Sequence, residues 1–344
     1  MQTNFLTSKI VHPANLDSNQ IKCWESLSST QTHLFSPFLS VHYICAVAAS
    51  GVDVRVCVLY QNDVIQGFFP YQFKNWWSAL VRAAEPVGGE MTDYFGLVAH
   101  KDFHISSNQL LLLAELNHML FSHLDESQLC YGLSGEQPRT GLRIWLNASE
   151  TEPTYPSSMS HKYLKDTERR ERQLLRDIGP IAFEFNAQED RRDKLQYLIA
   201  QKRSQYQRTS TEDALVMTWK QDALLYLLSS KFATCSAVLS HLMAGDQWVA
   251  SHFGIMGNGV LQYWFPVYNP ELSKYAPGRL LLHHICKEAP MHHVRVIDRG
   301  EGDTPSKREI TNDDHQFYRG SWHNKSASSY LTRGVQSVRW RFGI

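Results

Sequence analysis

The strongest constraint on this chain is residues 245–307. They set a polar turn, two apolar strands, a proline–glycine loop, an apolar helix and a third strand in unbroken succession. Residues 247–256 and 259–268 gather β-branched and aromatic side chains on either side of a turn, the pattern of paired strands. Asn269-Pro-Glu-Leu-Ser-Lys-Tyr-Ala-Pro-Gly278 closes off the second strand, and residues 279–288 read as a helix. A short strand at 294–297 leads into Asp298-Arg-Gly-Glu-Gly302 and on to Lys307. A strand that turns through a glycine-closed loop into a helix presents unpaired backbone N–H groups and the positive end of a dipole. Such a corner suits a phosphate group. Pro277 stiffens the entry and Gly278 permits close approach.

Chain length and charge narrow the rest. With 344 residues the chain can form two domains of ordinary size, and its 34 Lys+Arg balance 34 Asp+Glu. No global field draws in nucleic acid or an anionic membrane, although a local basic pocket stays open. The cysteines Cys23, Cys45, Cys57, Cys130, Cys235 and Cys286 are scattered and lack metal or redox spacing. His283-His284 and His292-His293 are adjacent pairs whose side chains diverge on a helix, so no metal is expected. With no leader pattern and no apolar run near 18 residues, the expectation is a cytoplasmic protein without membrane insertion.

In chain order, the sequence predicts an apolar helix reaching residue 49 and a hairpin of strands 54–60 and 64–71. A strand at 93–98, a helix over 109–124 capped by Ser106-Ser-Asn108 and a strand at 142–146 follow. Thr151-Glu-Pro-Thr-Tyr-Pro156 is a break, which places a boundary between domains 1–155 and 156–344. Beyond it come a charged helix (160–178), a strand (181–186), helices at 190–206 and 219–231, and a strand at 237–243. The sequence stretch already described and late strands at 316–322 and 337–342 complete the chain. The charged helix holds six Lys/Arg against four Asp/Glu, the usual mark of a solvated face.

Two segments share a plan: Leu59-Tyr-Gln-Asn-Asp-Val-Ile-Gln-Gly-Phe68 and Leu242-Met-Ala-Gly-Asp-Gln-Trp-Val-Ala-Ser-His-Phe253. Each is a strand, a polar turn with Asp and a second apolar strand, and each is followed by a further strand and an apolar helix. This faint internal repeat predicts two similar halves. The Pro-Gly loop occurs only in the second, so one site is expected there.

The ordered set Leu242–Phe253, Tyr263-Trp-Phe-Pro-Val-Tyr-Asn-Pro-Glu271, Ala276-Pro-Gly278 with Leu280-Leu-Leu282, and Asp298-x-Gly300-x-Gly302 ahead of Lys307 resembles a known family. It is similar to the acyltransferases of bacterial cellulose and surface-polysaccharide biosynthesis, relatives of the Fem-type transferases within the GNAT superfamily. The likeness covers about residues 35–330. It implies an α+β protein of two tandem GNAT-like domains, each a mostly antiparallel sheet flanked by helices. It also implies acyl-CoA as co-substrate and an amine acceptor, read as a nucleotide-linked (dTDP- or UDP-) amino sugar. The family commonly has an aromatic residue before its lysine, whereas Ser306 precedes Lys307 here.

Acyl transfer from a thioester to an amine needs a held pyrophosphate, a polarised carbonyl, a deprotonated amine and a stabilised thiolate. The cofactor is expected at Lys274, Pro277, Gly278, Arg279 and Leu280, with Phe265 and Val267 from the preceding strand. His252 is a candidate base on the ground of a near-neutral pKa, and the bland alternative is a core histidine. Asp298 is expected to act as base or to orient the amine, against a turn-forming role before Gly300. Tyr268 is a candidate acid for the thiolate. Lys202, Tyr206 and Arg208 suit a diphosphate or stacked base, and Asp93, Tyr94 and Lys307 complete the expected acceptor contacts. The chain is expected to be a monomer or homodimer. Competing readings are a Fem-type aminoacyl transferase using charged tRNA and a non-catalytic binding module.

Overall fold

The computed structural model describes residues 5–146 and 155–324. The expected strand at 337–342 and most of the break at 151–156 lie outside the described residues. By contact the chain divides into Met1–Arg139 with Gln316–Ile344, and Thr140–His315.

The first unit contains β1 (Leu6–Val11), β2 (Asp53–Gln61), β3 (Val64–Phe73), β4 (Ala83–Ala84), β5 (Val98–Ala99) and β6 (His118–Asp125). Its helices are α1 (Ser18–Thr30), α2 (Val41–Ala49), α3 (Trp76–Leu80) and α4 (Ser107–Leu113). Strands β1, β2, β3 and β5 make an antiparallel sheet in that order. The short β4 runs parallel to β6. Cys57, Leu59, Phe69 and Tyr71 from the hairpin pack with Leu110, Leu111, Met119 and Phe121 in the core.

The expected helix over 109–124 is half right. Helix α4 ends at Leu113, Glu115 takes a left-handed φ of 56°, and residues 118–125 form β6. The Leu116 N–H closes back on the Leu111 carbonyl, and the Asn117 N–H reaches the Arg82 carbonyl instead of continuing the helix. Apolar residues every three to four positions look helical on a sequence, but pairing with β4 overrides that period. The strand expected at 93–98 shrinks to Val98–Ala99, with Phe95 making an isolated bridge to Leu124.

The second unit takes in most of β7 (Gln137–Trp145), then β8 (Ile181–Glu184), β9 (Lys231–Phe232), β10 (Cys235–Ala244), β11 (Gln247–Gly257), β12 (Val260–Tyr268) and β13 (Val296–Glu301). Helices α5 (His161–Asp177), α6 (Arg191–Arg208), α7 (Thr218–Ser229), α8 (Pro277–Glu288) and α9 (Pro305–Arg308) flank its sheet. The strand order is β7-β13-β12-β11-β10-β8, with β9 also on β10. Among the described strands of this unit only β12 and β13 are parallel, joined by the crossover helix α8. Leu280, Leu281, Leu282 and Ile285 of α8 and Tyr163 and Leu174 of α5 pack on Val238, Leu242, Val249, Leu261 and Ile297. The charged helix α5 therefore has one buried face, on Tyr163, Thr167 and Leu174.

The sequence repeat has a geometric counterpart. In β2–β3 the register slips between Leu59 and Tyr60, which face Gly67 and Ile65. In β10–β11 it slips between Leu242 and Met243, which face Ala250 and Trp248. Leu59 and Leu242 are the matched first residues of the two segments, so both hairpins carry a bulge at the same repeat position. The first hairpin adds a close approach: a β-carbon at Gly67 would lie 2.7 Å from Ala99 Cβ and 2.8 Å from the Val98 carbonyl. Gly67→Val should therefore destabilise the protein by about 1–3 kcal/mol. A lowered urea midpoint checks this, and an unchanged midpoint would refute the close-approach argument.

Candidate functional site

Strands β12 and β13 begin side by side and then stop pairing. Their ladder holds at Val260↔Val296, Leu261↔Ile297 and Gln262↔Asp298. At that point the β11–β12 register slips: Ile255 faces Gln262, whereas Phe253 faces Phe265. The additional residue belongs to β12, at Tyr263–Trp264, and a bulge of this kind bends its strand. The edge of β12 that faces β13 thus leaves the ladder from residue 263 onward, which frees backbone groups for another partner. Gly254 stands opposite the bulge, where a β-carbon would lie 2.1 Å from the Gln262 carbonyl oxygen.

Beyond Tyr268 the chain makes a short turn (Pro270–Tyr275) and enters α8. Ala276 at the N-cap is left-handed (φ 53°) and supplies no side-chain cap, and Pro277 occupies the first turn. The Arg279 and Leu280 N–H groups fall back on the Ala276 carbonyl, at 2.9 and 3.1 Å. The Gly278 N–H lies ahead of both, at the positive end of a 12-residue helix. Space is open there: the nearest atom to a β-carbon at Gly278 would be Tyr268 Cδ1, at 3.7 Å. Strand end, loop and helix N-terminus therefore meet, with Tyr268 beside Gly278.

The charges expected beside them are arranged differently. Arg279 donates to Asp166 and to Glu309, each at 3.0 Å, and its guanidinium lies 4.7 Å from the Tyr163 ring centre. It braces α8 against α5, which corrects its expected role as a phosphate ligand. Arg170 and Arg169 hold the Asp166 carboxyl down, to about 2. Arg170 also donates to the Lys274 carbonyl at 2.7 Å, tying the loop to α5. The sequence reading missed Tyr163, Asp166 and Arg170 because α5 looked like a solvated face. Lys274 is exposed, with its ammonium 4.7 Å from the Tyr275 ring. Phe265, Val267, Pro277 and Leu280 are all buried.

His252 needs a correction. Its ring is fully buried, stacked 4.5 Å from Tyr263, with Nδ1 3.5 Å from Ser240 Oγ. Burial pushes its pKa down to about 3, so the near-neutral value expected for a base does not hold. Lys202 is also buried, donates to the Pro266 carbonyl at 2.9 Å and lies 5.2 Å from the Tyr206 ring. Burial lowers its pKa to about 8. It thus braces β12 past the bulge, while Arg208 stands exposed at the last residue of α6. Lys307 donates to the Arg299 and Glu301 carbonyls, at 3.1 and 2.8 Å, and fastens α9 to the end of β13. Asp93 is half-buried, and Tyr94 packs among Phe35, Phe38 and Phe317 in the first unit's core. Tyr94 is therefore a core residue and not the acceptor contact expected of it.

Asp298 is fully buried and uses its two oxygens differently. Oδ1 accepts from the Gly300 N–H at 2.8 Å, the turn-forming role. Oδ2 accepts from Arg143 Nε at 3.3 Å and lies 4.0 Å from His315 Nε2. Burial pushes His315 down to about 4, against the raising effect of Asp298. Arg143 and His315 were missed, although each interrupts an otherwise strand-like pattern. His283 bonds Tyr155, His284 lies 3.0 Å from Glu171, and His292 stacks on Phe185. Among the described residues no cluster of His, Cys, Asp and Glu could hold a metal.

The comparisons bear on this geometry. Residues 161–308 match the Acetyltransferase (GNAT) domain model. The second unit has the GNAT fold. Among solved structures, FemX superposes with a TM-score of 0.59 at 10% identity, over 91% of this chain and 96% of that one. The C-terminal domain of a lysylphosphatidylglycerol synthetase from Agrobacterium fabrum gives 0.56 at 11% identity, over 94% and 97%. A tandem GNAT protein of the clavulanic acid biosynthesis pathway gives 0.51 at 10% identity, over 94% and 100%. No curated protein sequence matches the chain. At these identities the structures speak for the fold, which is the α+β, tandem GNAT-like architecture anticipated from the sequence.

The depressed pKa of His252 has a measurable consequence. Its folded value (about 3) lies below its unfolded value near 6.5, so the unfolded state binds the proton first as pH falls. The stability associated with neutral His252 is present above pH 6.5 and is lost as pH falls towards 3. His252→Asn should reduce the slope of unfolding free energy on pH by about 1.4 kcal/mol per pH unit within that window. Urea titrations at pH 4, 5 and 6 check this, and an unchanged slope would contradict the buried, neutral ring.

Proposed function

We propose that the protein is an N-acyltransferase that moves an acyl group from acyl-CoA to the amine of a nucleotide-linked amino sugar in surface-polysaccharide synthesis. The observation that carries the donor half is the corner formed by bulged β12, its divergence from β13 and the uncapped N-terminus of α8. The Gly278 N–H and the dipole of α8 hold the pyrophosphate, with Lys274 exposed beside the loop. The thioester lies along β12 past Tyr263, where main-chain N–H groups polarise its carbonyl. The neutral amine attacks the carbonyl carbon, a C–N bond forms and the C–S bond breaks. The proton lost by the amine ends on the thiolate, with Tyr268 as the donor at that end of the strand. Asp298, fully buried and bonded to the Gly300 N–H and Arg143, holds the turn at Gly300 within β13 in place and does not itself touch the amine. The amino-sugar acceptor rests on the family resemblance, and a cytoplasmic setting accompanies it.

Calorimetric titration with acetyl-CoA tests the donor half. Wild type should bind at micromolar Kd and Gly278→Trp should lose at least tenfold in affinity, since the indole fills the space beside Tyr268. Absence of binding by both would sink the acyl-CoA reading. Tyr268→Phe should keep acetyl-CoA affinity and lower kcat towards a nucleotide amino sugar by about 100-fold. An unchanged kcat would remove Tyr268 from the proton path.

The similarity to FemX and to a lysylphosphatidylglycerol synthetase favours a second reading, in which the donor is an aminoacyl-tRNA. Thermal shifts separate the two. Protection by CoA alone supports the first reading, and protection by aminoacyl-tRNA but not by CoA supports the second.

A further inference from the structure

The first unit carries a feature that acyl transfer does not use. Between β3 and β4 the chain leaves the sheet as Lys74-Asn-Trp-Trp-Ser-Ala-Leu-Val-Arg82, and the middle of this excursion is helix α3. Its large apolar side chains point into solvent: Trp76 is 66% exposed, Trp77 59%, Leu80 67% and Val81 41%. The two indoles stack at 4.0 Å, so they present a single aromatic face. Large side chains of this kind ordinarily account for much of a protein's burial, and four together on a tip mark an interaction surface.

The tip is held firmly. Asn75 Oδ1 accepts from the Ser78 N–H at 2.9 Å, and Ser78 Oγ accepts from the Asn75 N–H at 3.0 Å, a reciprocal cap. At the other end Asn117 Nδ2 donates to the Val81 carbonyl, and the Asn117 N–H to the Arg82 carbonyl. Ala79 packs on the first unit's core, so the backbone is anchored inward while the Trp, Leu and Val side chains face out. Lys74 and Arg82 flank the tip and are both exposed, and residues 64–84 contain no Asp or Glu.

We propose that this tip docks the protein on the surface of an anionic phospholipid bilayer. Indoles favour the headgroup boundary, where the ring is apolar and its N–H stays wet. Two flanking cations with no intervening carboxylate complement anionic headgroups. A four-residue apolar tip suits shallow insertion, and among the described residues no helix is long and apolar enough to cross a membrane. A second copy of the chain fits less well. In an isologous contact Lys74 and Arg82 of one copy would face the same cations of the other.

The inference stands apart from the acyl-transfer reading and is tested without it. The full chain is sedimented with vesicles of equal phosphatidylglycerol and phosphatidylcholine at low salt, and with phosphatidylcholine vesicles alone. Wild type should pellet with the anionic vesicles and much less with the neutral ones. Trp76→Ser with Trp77→Ser should weaken binding at least tenfold while leaving the urea midpoint unchanged, because both side chains are exposed. Lys74→Gln with Arg82→Gln should weaken it and flatten its salt dependence. Equal binding by wild type and the Trp double variant would overturn the proposal. So would the absence of wild-type binding, or a dimer that the Trp variant dissolves without any vesicle binding.

Discussion

A strand in the interior of a sheet has both edges hydrogen-bonded, so it cannot also offer its backbone to a ligand. The second unit resolves this conflict with one inserted residue. The bulge at Tyr263–Trp264 falls where the ladder to β13 ends, and the parallel pair holds for only three positions. Much of the surrounding chemistry serves that opening. Gly254 makes room opposite the bulge, Lys202 holds the Pro266 carbonyl beyond it, and Lys307 gathers the carbonyls at the far end of β13. A side chain at 254 would push on the Gln262 carbonyl, the last rung of the short ladder, so the glycine and the opening are one feature.

The two halves share a hairpin plan and diverge at the helix that follows it. Both hairpins slip register at the same repeat position. In the first unit Ser106 Oγ accepts from the Gln109 N–H at 3.2 Å and caps α4. In the second, left-handed Ala276 and Pro277 bring the chain into α8 without any side-chain cap. The entries therefore differ in length and capping: α4 is seven residues long with Gln109 capped, whereas α8 is 12 residues long, so its dipole is longer and the Gly278 N–H at its start has no side-chain cap. The difference lies in a few residues at a helix entry and leaves the hairpin untouched.

Local features were therefore legible in the sequence, and long-range ones were not. The hairpins could be read because period-two patterning and a polar turn act within about 20 residues. The loop Asn269–Gly278 could be read because proline and glycine act on their own backbone. The stretch 109–124 misled because its apolar spacing is helical while its fate depends on β4, more than 30 residues earlier. Arg279 misled for the same kind of reason: its partner Asp166 lies 113 positions away. His252 was correctly placed on a central strand, but its titration follows from complete burial and a stacked Tyr263, which no local pattern announces.

The distribution of charge explains why backbone donors matter at this corner. The chain has no net charge, and the arginines nearest α8 already have partners: Arg279 bonds Asp166 and Glu309, and Arg170 bonds Asp166 and the Lys274 carbonyl. Removing those two guanidiniums to serve a ligand would break their bonds to Asp166, Glu309 and the Lys274 carbonyl and leave Asp166 to Arg169 alone. The Gly278 N–H at the start of α8 carries no such obligation. It is fixed in direction by the helix and needs no reorganisation when an anion arrives. On the proposed reading, a phosphate at this corner would be recognised by geometry more than by net charge, with the arginine–carboxylate network holding that geometry still.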